Sequence, residues 1–207
     1  ARARDIFRFI LEHNRVSRFH FEIGAHLLDD ATLSLLEQVP EEMFQFEIGI
    51  QSTNPAALAR ISRRTDIGKL RRILAQLPRT IHTHVDLIAG LPEEDLCSFE
   101  GSFNFAIGLR PDMLQLGFLK VLPGTPMEVV ARNDGYAWLT VPPYEVLHTP
   151  CLSFDDLSVL KDIETLLDTF YNSGKFPSVI RYLCEKTSPF SFFRDLARTY
   201  RHKGRFN

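Results

Sequence analysis

The stretch FEIGIQS, residues 46–52, alternates strictly: Phe46, Ile48 and Ile50 fall on one side of an extended chain, and Glu47, Gly49 and Gln51 on the other. The same two-residue period recurs on both sides of it. Upstream, FHFEIG at 19–24 sets Phe19, Phe21 and Ile23 against His20, Glu22 and Gly24. Downstream, IHTHVDLI at 81–88 sets Ile81, Val85 and Leu87 against His82, His84 and Asp86, and further on Leu114, Leu116 and Phe118 oppose Gln115 and Gly117. These patterns predict strands at 18–23, 45–51, 81–88 and 112–119.

The segments between them carry helical periodicity. Ile6, Phe7, Ile10 and Leu11 share a helix face within 4–13, and further helices are predicted at 30–38, at 55–77 with a break near 64–66, and at 93–108. A strand followed by a helix every 30 residues or so is the size of a parallel βα unit, so the expectation is an α/β fold with parallel strands. The helices need an apolar surface to pack on, which directs the polar strand faces toward a shared concave side. Carboxylates, imidazoles and amides buried there without partners would cost several kcal/mol, so that side should hold a polar ligand, water or mutual ion pairs. Glycines 24, 49 and 117 on the polar face would leave room for a ligand near the backbone. An antiparallel sheet with one solvated face produces the same alternation, but no hairpin turns separate these strands.

Beyond Pro126 the character changes. Pro142, Pro143 and Pro150 punctuate an irregular stretch that contains Trp138. Ser153 and Asp156 form a variant capping box ahead of an amphipathic helix carrying Leu157, Leu160, Ile163, Leu167 and Phe170, and shorter helices are expected at 176–185 and 189–201. The chain thus divides into a βα region, 1–134, and a helical region, 135–207.

Composition narrows the functional classes. With 24 basic and 26 acidic residues among 207 the net charge is −2, which gives no global field for nucleic acid or an anionic membrane. No apolar run approaches the roughly 18 to 20 residues that span a bilayer. The expectation is a cytoplasmic protein with a small-molecule substrate, without nucleic-acid or membrane partners. Cys97, Cys151 and Cys184 lie too far apart along the chain for a local metal-ligand pair, and they read as reduced thiols buried as small hydrophobes. The chain starts at Ala1 with residues that already read as helix, which suggests an excised piece.

Three segments in order, FEIGIQS followed by NP at 54–55, VDLIAGLPEED at 85–95 and LQLGFLKVLPGTPM at 114–127, resemble the radical S-adenosylmethionine (SAM) superfamily. The match is closest to its cobalamin-binding-domain-containing proteins, in the coproporphyrinogen-oxidase-like branch. Residues 142–176 resemble the C-terminal domain of unknown function of those proteins. The resemblance implies a partial (β/α) TIM-like barrel of four parallel strands with helices, then a helical C-terminal extension. It also implies SAM, a [4Fe–4S] cluster and, optionally, cobalamin as cofactors of a longer parent enzyme.

Site residues carry over by the same resemblance. Glu22 matches a glutamate that contacts bound SAM, Gln51 a polar residue near the SAM ribose, and Arg63 a basic residue that pairs with the methionyl carboxylate. Asp86 matches a carboxylate on the next strand; Ile88 and Gly90, with Glu93, resemble the adenine-contact motif GxIxGxxE, in which Asp86 takes the place of the first glycine. Chemically the set is suitable, because carboxylate and amide oxygens accept from hydroxyl and amino groups and an Arg fork matches a carboxylate. The blander alternatives are that Glu22 and Asp86 pair with His20 and His84, and that Arg63 is a solvated helix-end charge.

The family's cluster-binding CxxxCxxC is absent from these 207 residues. By the resemblance it precedes the first helix, so this chain alone should neither hold the cluster nor cleave SAM, and no cofactor is expected to bind it tightly. His82, His84 and Asp86 line one side of a strand and resemble a metal site only faintly. The basic end, from Arg194 to Arg205, suits a helix terminus or a solvated tail as well as RNA. Three readings follow: part of a radical enzyme, a non-catalytic ligand- or protein-binding module, and an RNA-modifying relative.

Overall fold

The computed structural model describes residues 2–24 and 28–206. Four strands, β1 (Phe19–Glu22), β2 (Phe44–Gln51), β3 (His82–Ala89) and β4 (Met113–Phe118), form one sheet in the order β1-β2-β3-β4. Every neighbouring pair is parallel, so the antiparallel alternative is ruled out. The crossovers are helical: α1 (Arg2–His13) precedes β1, α2 (Asp30–Leu36) follows it, α3 (Pro55–Arg60) and α4 (Ile67–Gln76) join β2 to β3, and α5 (Leu96–Gly108) joins β3 to β4.

Local chemistry sets the helix starts. Asp29, Asn54, Asp66 and Asp95 each stand at an N-cap and accept from a backbone N–H of the first turn, at Thr32, Ala56, Lys69 and Ser98 respectively. The predicted break at 64–66 is the gap between α3 and α4, where Asp66 restarts the helix.

The core lies between the apolar sheet face and these helices. Phe46, Ile48, Val85 and Leu87 are 1% exposed or less, and the same core contains Phe7 and Ile10 of α1, Leu36 of α2, Ile73 of α4 and Phe103 of α5. Phe7 and Phe21 meet edge to face at 5.1 Å, as do Phe21 and Phe44.

The stretch after β4 is more regular than its prolines suggest. Pro126 opens a helix, α6 (Pro126–Asp134), which ends at Gly135 in the left-handed conformation. Residues 137–148 then form a short antiparallel pair, β5 (Ala137–Trp138) and β6 (Val146–His148), where only irregular chain was expected. The chain just past β4 is tied to the start of β6 by an isolated antiparallel bridge: Val146 N–H donates to Leu119 O at 2.9 Å and Val121 N–H to Tyr144 O at 2.8 Å.

Helices α7 (Phe154–Leu167), α8 (Pro177–Lys186) and α9 (Pro189–His202) complete the chain, with a π-helical turn at Asp168–Asn172. The capping box at Ser153 and Asp156 forms with both reciprocal bonds. Leu157, Leu160, Ile163 and Leu167 are buried as their spacing predicts, whereas Phe170 falls in the π turn and is only half-buried.

Two devices join this region to the βα region. Phe190 and Phe193 of α9 pack on Phe103 at 5.7 and 5.9 Å. Asn172 covers the free edge of β4, its side chain accepting from Leu114 N–H and donating to Leu114 O, both at 2.9 Å. A strand edge otherwise presents unpaired backbone groups, and here one amide satisfies two of them. Among the described residues no helix is long and apolar enough to cross a membrane.

Candidate functional site

The parallel register lines the polar residues into rows across the other face of the sheet. Glu22 stands opposite Glu47, and Glu47 opposite His84; one step along, Gly49 stands opposite Asp86 and Asp86 opposite Gln115. Three carboxylates thus share a small area. His20 Nε2 lies 2.8 Å from Glu47 Oε2, so the imidazole of β1 pairs with Glu47 rather than with its own neighbour Glu22.

His84 Nε2 lies 3.4 Å from Asp86 Oδ1, but the two are not aligned as a hydrogen bond, and both atoms are buried without a partner. Burial raises the Asp86 carboxyl to about 6; His84 opposes the rise, and the negative charges of Glu47 and Glu22 add to it. Such a buried polar pair short of partners is uncommon in a folded protein and singles out this part of the sheet.

At the carboxyl end of β2 a register shift between Gly49 and Gln51 bends the strand, and Gln51 takes a left-handed backbone with φ 69°. The Gln51 side chain folds back over Gly49, so that a larger residue there would have to displace its amide. The space expected at Gly49 is therefore filled from within the chain. Arg63, beyond the end of α3, reaches the same spot and donates from Nη2 to Gly49 O at 2.7 Å. It is exposed, but it is tied to the sheet rather than free in solvent.

Glu22, Gln51, Arg63 and Asp86, expected to act together, do line one depression of about 380 Å³, with Glu47 and Gly49 at its base. Ile88 and Gly90 lie outside that lining. Ile88 sits beside Gly117 on the same sheet face. Gly90 has φ 91°, and a Cβ there would come within 2.7 Å of Val146 Cγ1, so β6 packing by itself explains the glycine.

Glu93 pairs with Arg60 at 3.7 Å, and Arg60 also pairs with Asp134. Its neighbour Glu94 is fully buried, which the acidic run PEED does not announce. Ser52 donates to Glu94 Oε1 at 2.5 Å and Ser102 to the same oxygen at 3.3 Å.

The smaller signals resolve plainly. His82 turns toward Asp112, 4.0 Å away, and among the described residues no group of three His, Cys, Asp or Glu side chains could hold a metal ion. All three cysteines are free thiols, but they are not buried as expected: Cys97 on α5 and Cys151 after β6 are exposed, and Cys184 on α8 is half-buried. These cysteines do not fit an iron–sulfur cluster. In the basic C-terminal helix, Arg201 pairs with Asp162 and donates to Ser158, Arg198 contacts Asp195, and Arg194 lies over the Phe190 ring.

The four-stranded parallel βα sheet has counterparts among solved structures, which match it in fold. Coproporphyrinogen III oxidase (HemN) from Escherichia coli, a radical SAM enzyme, matches at 18% identity with TM-score 0.55 over 80% of this chain and 36% of its own.

TsrM from Kitasatospora setae, a radical SAM methyltransferase, matches in two states. With tryptophan substrate and the SAM analogue aza-SAM bound it gives 16% identity and TM-score 0.56, over 73% of this chain and 31% of its own. With cobalamin and a [4Fe–4S] cluster bound it gives 17% and 0.57, over 73% and 32%. The chain thus spans about a third of the solved structures it matches. Residues 133–207 match the family model described as a protein of unknown function, DUF4080. No curated protein matches by sequence.

Proposed function

We propose that this chain supplies part of the SAM- and substrate-facing cavity of a radical SAM enzyme, with 1–134 as the later part of the partial barrel and 135–207 as its C-terminal extension. The observation that carries the reading is the convergence of Glu22, Gln51, Arg63 and Asp86, from three strands or their ends and one helix end, on a single pocket. These residues suit SAM: Arg63 offers a guanidinium to a carboxylate, Glu22 and Asp86 offer acceptors to an ammonium or to ribose hydroxyls, and Gln51 can both donate and accept.

When bound to a [4Fe–4S] cluster, SAM would supply the radical, with cobalamin as an optional further cofactor. The cysteines of this chain do not provide for the cluster, so its own residues bind and orient. The Asp86 carboxyl, raised to about 6, is the group of the pocket best placed to exchange a proton near neutral pH. A small-molecule substrate suits the volume of the cavity better than a macromolecule does.

Binding to the isolated chain tests the reading. Titration of the isotope-labelled chain with SAM or S-adenosylhomocysteine should give saturable shifts at Gly49, Gln51 and Asp86, with a Kd on the order of 1 mM, equivalent to about −4 kcal/mol. Arg63→Ala should weaken that binding by about tenfold. Shifts confined to residues away from the pocket, or none at 10 mM ligand, would contradict it.

A further inference from the structure

The fully buried Glu94 occupies the junction of three segments: the end of β2, the loop after β3, and α5. Its Oε1 accepts from Ser52 and Ser102, while Oε2 is buried with no hydrogen-bond partner. Both serines are in turn bonded to the backbone that follows Gln51. Asn54 N–H donates to Ser52 Oγ at 2.9 Å, and Thr53 N–H donates to Ser102 Oγ at 2.9 Å. From the outside, Asn54 Nδ2 donates to Glu93 O at 2.7 Å, which closes the turn against the loop.

We propose that Glu94 is a positioning residue: through Ser52 and Ser102 it clamps the turn at 51–54, and so holds the left-handed Gln51 with its amide over the ligand pocket. The relevance of that amide rests on the function proposed above; the clamp itself does not. A left-handed non-glycine residue costs of order 1 kcal/mol or more and persists where its surroundings over-determine it. Here the three residues after Gln51 have their side chains or amides bonded into the Glu94 cluster.

The clamp works with a neutral carboxyl group. Burial raises Glu94 to about 7; the Ser52 and Ser102 hydroxyls oppose the rise and the neighbouring Asp95 adds to it. Among the described residues no cation pairs with Glu94, the nearby Arg60 being engaged by Glu93 and Asp134 at the surface. As the pH rises from the ordinary glutamate range to about 7, the opened turn, in which an ionised Glu94 meets water, gains on the closed one, which loosens the turn.

Hydrogen exchange of the Thr53 and Asn54 amides, expressed as protection factors between pH 5.5 and 8.5 in the whole chain, reads the clamp without any ligand. The wild-type protein should lose protection at these amides by at least tenfold between pH 5.5 and 7.5, with little further change above that. Glu94→Gln, which keeps the carbonyl acceptor, should hold its protection at every pH, and Glu94→Ala should be unprotected throughout while Val85 and Leu87 remain slow. If Glu94→Ala does not fold, Ser102→Ala should show the same local loss at Thr53.

Wild-type protection at Thr53 and Asn54 in Glu94→Ala or Ser102→Ala, or a pH profile identical in the wild type and Glu94→Gln, would overturn the proposal. Failure of the chain to bind S-adenosylhomocysteine would remove only the ligand reading.

Discussion

On the outward face of the sheet, Phe46, Ile48, Val85 and Leu87 are shut off from water and surrounded by helix side chains. On the inward face, one step away along the same strands, Glu47, His84 and Asp86 are crowded together, and two of their buried polar atoms have no partner. The outward face contributes stability through area removed from water, at roughly 25 cal/mol per Å². The inward face holds like charges side by side and destabilises the fold unless something fills the hollow. This difference between two faces of one sheet is what sets the inward face apart as the candidate site.

Substitutions on the two faces should therefore act in opposite directions. The largest effect is expected at Phe46→Ala, which opens a cavity at a fully buried position and should cost about 3–5 kcal/mol in urea-induced unfolding. A cost below 1 kcal/mol would mean that the outward face is not the packed one.

Asp86→Asn should act the other way. Because the Asp86 pKa is raised from 3.8 to about 6 on folding, the folded state binds the proton more tightly, and wild-type stability falls as pH rises through that window. The asparagine variant escapes this loss. It should match or exceed the wild type above pH 6, by at most about 3 kcal/mol, and the advantage should vanish below pH 4. Unfolding curves at pH 4 and pH 7.5 measure the sign; an asparagine variant that is less stable by the same amount at both would break the comparison.

Two smaller effects serve as controls outside both faces. Asn172→Ala uncovers the Leu114 amide and carbonyl at the β4 edge and should cost about 2 kcal/mol with no pH dependence. Ser153→Ala removes the capping box of α7 and should cost about 1 kcal/mol, read from the same denaturation curves.

Much of this architecture could be read from spacing alone. The strict alternation of FEIGIQS and its companions predicts four strands and the sidedness of each, because one face had to meet helices. Ser153 and Asp156 announce a helix start through their capping box, and the break read at 64–66 falls between α3 and α4. The hairpin of β5 and β6 left no such pattern, since strands of two and three residues are too short to show a period.

The candidate site was legible in part. Strand parity puts Glu22, Gln51 and Asp86 on one polar face, the family resemblance picks them out from it, and the reach of Arg63 to Gly49 depends on how the chain turns after α3. Glu94 was hidden for a different reason. A charged residue in an acidic run is expected in solvent, and here two serines, one just past β2 and one on α5, make its burial tolerable.

The most direct test of the inward face as a ligand cavity is a crystal structure of the chain grown with 10 mM S-adenosylhomocysteine. The expected result is ligand density bounded by Glu22, Gln51, Arg63 and Asp86, with the ligand carboxylate toward Arg63. Density placed elsewhere on the molecule, or a fully ordered pocket holding only water at that concentration, would contradict the account.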